Sequence, residues 1–202
     1  MSKERLMAMT AGGLVAVFAA MPISQLHAQA KPRADRDTVS DSKFIHEVAA
    51  DNMVIVLMGQ QAERKAQNSS VKQFGQREVT DHNRIQDELK SVATKSGVDF
   101  RPGLGERHRA KLQRVEKESG KAFDRTYIRT MVDQYQATVS YFQNEGRSVH
   151  SGALRDYVSK TLPLWENRLR DAKQIAVQVG ADSTAAHAHH VTMKNKPARK
   201  KK

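Results

Sequence analysis

From Phe44 onward the chain repeats apolar residues every three or four positions, the period of a helix with one buried face. The first such stripe is Phe44, Val48, Ile55, Met58, Ala62 and Ala66. It predicts a helix that starts behind the capping residues Asp41 and Ser42 and ends near Asn68. A second helix, capped by Ser69 or Ser70, carries Val71, Phe74, Ile85, Leu89 and Val92 and stops at Gly97. The segment 98–105 holds Pro102 and two glycines and reads as a loop. His108 to Lys117 reads as a short helix closed by Gly120. A long helix follows, with Phe123, Tyr127, Met131, Tyr135, Val139 and Phe142 on one face, ending at Gly146. The last runs from Ser151 to Val179, with Leu154, Val158, Leu162, Trp165, Leu169, Ala172 and Ile175 inward. Pro163 lies inside it and removes a backbone donor, so a kink or break after Thr161 is expected.

Four long amphipathic helices, none stable alone, with two tight connections and one long one predict an all-α fold. The expected architecture is a ferritin-like four-helix bundle over residues 43–179. Two helical hairpins are joined by a long crossover, residues 98–120, that contains the short helix. The hairpins echo one another faintly: Phe44 matches Phe123, and VKQF at 71–74 resembles LRDY at 154–157.

The flanks have different patterns. Residues 1–30 are a basic head, an apolar run LMAMTAGGLVAVFAA, and then Pro22 and the small residues Ala28 and Ala30. That order predicts a secretory signal peptide cleaved after Ala30, or after Ala28. The run falls short of the roughly 20 apolar residues of a bilayer span, and no later segment is as long, so no span is expected in the mature chain. The alternative is an uncleaved N-terminal anchor. Residues 31–42 are polar and read as a disordered lead-in, and residues 180–202 as a disordered tail rich in His and Lys.

Composition sharpens this picture in two places. The absence of cysteine excludes a disulfide framework, thiolate metal sites, a thiol nucleophile and a lipid-modified cysteine. The net charge of +12 is uneven. The first five residues carry +1 and the last nine, with Lys194, Lys196, Arg199, Lys200, Lys201 and Lys202, carry +6, so only +5 belongs to everything between. That tail could hold the protein against an anionic envelope surface by charge alone. No base-reading module accompanies it, so no specific nucleic acid is expected as a partner.

The stretch from Phe44 to Gln178 also resembles a bacterial exported family, domain of unknown function 4142. The resemblance rests on FGQREVTDHNRIQDEL at 74–89, KSGVDF at 95–100, AFDRTYIRTMVDQY at 122–135 and the Thr-Leu-Pro at 161–163. It implies export, a ferritin-like fold and the label "predicted outer membrane protein", and it confers no activity. The family pattern places acids where this chain has Ile55 and Leu57, and histidines at Tyr135 and near Arg168. Of that ligand set Asp81 and His82 remain, with Glu78 close by.

Metal chemistry is the sharpest hypothesis for such a bundle. Two-metal bundles use a Glu from each of two helices and Glu-x-x-His from the other two. That motif is absent between Phe44 and Val179, and the candidate ligands for iron, manganese or zinc reduce to Glu78, Asp81, His82 and Asp124. The competing reading makes Glu78 and His82 a polar layer, paired with each other or with an arginine, that sets helix register. No nucleophile elbow or phosphate loop is present. The expectation is a periplasmic, non-catalytic structural or interaction module without a cofactor. Peripheral outer-membrane association through the tail is an alternative, and so is a degenerate metal-binding bundle.

Overall fold

The computed structural model describes residues 33–181. Five α-helices make up the domain: α1 Arg33–Lys65, α2 Ser69–Lys95, α3 Glu106–Glu116, α4 Gly120–Glu145 and α5 Gly152–Gln178. A single 3₁₀ turn, Gly146–Ser148, leads from α4 towards α5. α1 packs on α2 and α4, α5 packs on α4 and α2, and α3 lies against α1 and α4. The expected all-α bundle of two hairpins joined by a crossover is therefore what the chain forms. The expected signal peptide, with its cleavage positions Ala28 and Ala30, and the tail from Lys194 to Lys202 lie outside the described residues.

The start of α4 meets the α1–α2 turn, and the start of α1 meets the α4–α5 turn. Each helix is thus antiparallel to both its neighbours around the bundle, which makes α2 and α4 parallel. A chain leaving α2 must return the length of the bundle before it can begin α4. This is the physical need for the long connection, and α3 is the part of it that docks. Stripes from all four long helices meet in one core, in which Phe44, Phe74, Phe123, Phe142, Tyr127, Tyr135, Tyr157 and Trp165 are buried.

Two carboxylates fasten the ends of the bundle. Asp124, on α4, accepts from Gln67 N (3.1 Å) and Asn68 N (2.9 Å) in the α1–α2 turn. Asp41, on α1, accepts from His150 N (2.8 Å) and Ser151 N (2.7 Å) ahead of α5. Eighty-three positions separate Asp41 from Asp124, Gln67 from His150 and Asn68 from Ser151. The same offset relates VKQF at 71–74 to LRDY at 154–157. The hairpins are therefore equivalent in this register, which pairs Phe44 with Tyr127 rather than with Phe123.

Three local expectations are corrected. The lead-in over 31–42 is not disordered as far as it is described: α1 begins at Arg33, about ten residues early. Asp41 is an interior residue of α1 and does not cap it; its carboxylate and Asp37, which stands 3.1 Å from His150, tie this polar turn to the opposite hairpin. The cap of α2 is Asn68, whose side chain accepts from Ser70 N (2.9 Å) and Val71 N (3.2 Å), rather than Ser69 or Ser70. α5 runs through Pro163 without the expected break. Pro163 and Ser159, whose carbonyl loses its donor, are both exposed, so water can satisfy that carbonyl. Buried Tyr157 and Trp165 on either side hold the helix in place.

α1 and α2 approach closely at small residues. A Cβ on Gly75 would lie 2.6 Å from Ala62 Cβ and 3.0 Å from Gly59 O. An exposed helical glycine gains about 1 kcal/mol on becoming alanine. Gly75→Ala is instead expected to lose about 1 kcal/mol, because relieving the overlap forces the two helices apart. Urea denaturation monitored by helical circular dichroism measures this, with Gly152→Ala as the roomy control.

Candidate functional site

α2 places Glu78 and His82 one turn apart on its inward face, the spacing that lets their side chains touch. Glu78 is fully buried and His82 is 1% exposed. His82 Nε2 stands 3.1 Å from Glu78 Oε2 and 3.1 Å from the Tyr135 hydroxyl oxygen of α4. The Tyr135 hydroxyl donates to Glu78 Oε2. On its other edge His82 Nδ1 is 2.8 Å from Asn52 Oδ1 of α1, which makes Nδ1 the donor. Nε2 then faces the Glu78 carboxylate at hydrogen-bond distance. Trp165 of α5 packs on the imidazole, with ring centres 4.9 Å apart.

The outer side of this layer is closed by Arg168 of α5. Its guanidinium pairs with Asp81, stands 3.5 Å from Glu78 Oε1 and 3.5 Å from Asp171. A cleft of about 210 Å³ between α2 and α5 reaches it from the surface, lined by Asp81, His82, Leu164, Trp165 and Arg168 among others. One layer thus draws on all four long helices: Asn52, Glu78 with His82, Tyr135, and Trp165 with Arg168.

Three of the four expected ligands, Glu78, Asp81 and His82, come together here. Asp124 does not. Its carboxylate is consumed by the α1–α2 turn at the end of the bundle, because two backbone N–H groups there have no helical partner. The remaining donors do not fit a two-metal centre. Asp81 is spent on Arg168, Ile55 brings no oxygen from α1, and a fixed guanidinium stands where a bound cation's charge would be. Asn52 carried no sequence signal; a polar residue at a stripe position is an ordinary event in a long helix.

Burial pushes the hydroxyls of Tyr127 and Tyr135 well above the usual tyrosine range, and the charge of Glu78 adds to it. Tyr157 is raised as well, again chiefly by burial. The folded state therefore holds protons that the unfolded chain releases near pH 10. Stability is unaffected by these groups below that pH and falls as pH rises beyond it. Alkaline titration is expected to show tyrosinate absorbance appearing together with loss of helical circular dichroism. Tyrosinate forming at more than the half-buried Tyr141, which is pushed up only to about 12, while the helix signal persists would contradict it.

A second polar cluster fastens α3. His108, 3% exposed, has its Nε2 3.0 Å from Asp51 Oδ1 of α1, and Thr138 of α4 donates to Asp51 Oδ2 at 2.8 Å. Lys111 donates to Gln134, whose amide donates to Thr138 at 3.0 Å. Burial lowers the Lys111 ammonium below its ordinary value, against the attraction of Asp51. Sequence reasoning passed over this cluster, since Asp51 and His108 are 57 positions apart and only the docking of α3 joins them.

Among the described residues, no helix is long and apolar enough to cross a membrane. Comparison with curated proteins and with solved structures returned no match to this chain. The profile of one family, described as a domain of unknown function, DUF4142, covers residues 25–175. That span takes in both hairpins, the crossover and the whole polar layer, and the chain belongs to that family.

Proposed function

We propose that the protein is an exported, non-catalytic helical module of the cell envelope, in which the Glu78–His82 layer acts as a register lock. The observation that supports this most is that the ionisable groups of the layer pair with one another. Glu78 is engaged by His82, Tyr135 and Arg168, and His82 by Asn52, so the two inward groups of α2 are spent on partners within the bundle. A buried polar layer that is matched in only one alignment of four helices disfavours slipped packings, in which Glu78 would face apolar side chains. Export is supported by the signal-like pattern of residues 1–30, and peripheral docking by the charge concentrated in the last nine residues.

The test has two parts. The full chain produced in a bacterial host is expected in the periplasmic fraction, with a mass corresponding to cleavage after Ala30 or Ala28. Any membrane-associated share is expected to be released by salt and lost on deleting residues 191–202. Purified without chelator, the protein is expected to carry iron and manganese far below one per chain. Either metal near one per chain, lost in Glu78→Gln, would overturn the register-lock reading, and retention of the uncleaved chain in the cytoplasm would overturn export.

A further inference from the structure

Three metal-ligand side chains, none of them part of the central layer, converge where α3 meets α1. Glu47 and Asp51 stand one turn apart on α1, His108 reaches them from α3, and one ligand atom of each lies within 4.8 Å of the other two. Asp51 and His108 are both 3% exposed, while Glu47 forms the rim. Arg107 covers the cluster. Its guanidinium pairs with Glu47, stands 3.8 Å from Asp51 Oδ1 and 3.3 Å from His108 Nε2.

That arrangement leaves His108 poorly served. A guanidinium only donates, and a carboxylate only accepts. With a proton on Nε2 the imidazole satisfies Asp51 and turns a donor towards Arg107. With a lone pair there it satisfies Arg107 and turns that lone pair on the carboxylate. A doubly protonated ring suits Asp51 but adds a second positive charge against Arg107. His108 Nδ1 is buried without a partner among the described residues, so the cluster is the ring's whole polar engagement. A Lewis acid in the place of the guanidinium accepts electron pairs from Nε2, Asp51 and Glu47 at once.

We propose that Glu47, Asp51 and His108 form a mononuclear site for a divalent cation of the zinc type, with Arg107 as the cation that fills it otherwise. Ligands at about 2.0–2.2 Å from zinc lie roughly 3–3.6 Å apart, so small rotamer changes close the set. One imidazole with two carboxylates suits zinc better than calcium or magnesium, which take oxygen alone. Thr138 already supplies the outer hydrogen bond that orients a ligating carboxylate. The Arg107 side chain is 57% exposed and can swing outwards without leaving a cavity. Bound metal would staple the crossover helix to α1, a role separate from the central layer.

The experiment is calorimetric titration of zinc alone into the full chain, with His187, His189 and His190 changed to alanine so that the tail does not compete. About one zinc per chain is expected, together with a rise in Tm. Arg107→Ala removes the competing cation and is expected to tighten binding about tenfold. Glu47→Gln and Thr138→Val are each expected to weaken it by about tenfold or more, and His108→Gln to abolish it. Circular dichroism without metal establishes that each variant folds. If His108→Gln does not fold, the rim variants Glu47→Gln and Arg107→Ala still decide the matter. No zinc binding in either the parent or Arg107→Ala, or binding unchanged by Glu47→Gln, overturns the proposal.

Discussion

Arg168→Ala is expected to lower unfolding stability by about 3 kcal/mol, the largest loss for any side chain on the bundle surface. Its partner Glu78 is fully buried, and removing the guanidinium leaves that carboxylate with only His82 and the hydroxyl of Tyr135 as polar partners. An exposed ion pair would contribute about 1 kcal/mol or less. Arg168 itself is 22% exposed, which places the expected loss at the low end of the range for breaking a buried pair. The discriminating measurement is a double-mutant cycle by chemical denaturation. Glu78→Gln removes the charge that Arg168 compensates, so adding Arg168→Ala to it is expected to cost less than half of what it costs alone. Equal losses in both backgrounds would mean that Arg168 acts through Asp81 and Asp171 at the surface instead.

Asp41→Ala and Asp124→Ala are each expected to cost about 2 kcal/mol, since each removes two charge-assisted bonds to backbone N–H groups that no helix satisfies. The turns are only part-buried, so water recovers some of what is lost. The two losses are expected to agree within about 0.5 kcal/mol and to add in the double variant, because the carboxylates work at opposite ends of the bundle. Asparagine at either position keeps one acceptor and is expected to cost about half as much. Thermal and urea unfolding of the three variants checks this. A loss confined to Asp124→Ala would undo the equivalence of the hairpins.

Much of the fold was legible because it rests on local periodicity. The stripes of α2, α4 and α5 reached the core as read, and the tight and long connections fell where glycines, prolines and capping residues interrupt the pattern. Glu78 and His82 were legible as an inward polar pair because their spacing alone places them on one face of α2. The start of α1 was not. Its first turns carry few apolar residues, and what orders them is a tie to a turn more than a hundred residues away. Asp124 was misplaced for the same reason: a carboxylate at the start of a helix looks alike whether it faces a core or another hairpin's turn.

The sequence by itself determined that the described part of this protein is a set of long amphipathic helices and that the crossover is long. These are properties of spacing and residue type, which survive any arrangement of the helices. Only the tertiary structure decided which polar residues meet. Asn52, Tyr135 and Arg168 come from three different helices to enclose Glu78 and His82, and Asp51 meets His108 only once α3 has docked. The cost of burying a charge is settled by its neighbours in space, and in a bundle those neighbours come from other helices, so the chemistry of both clusters could not be read along the chain.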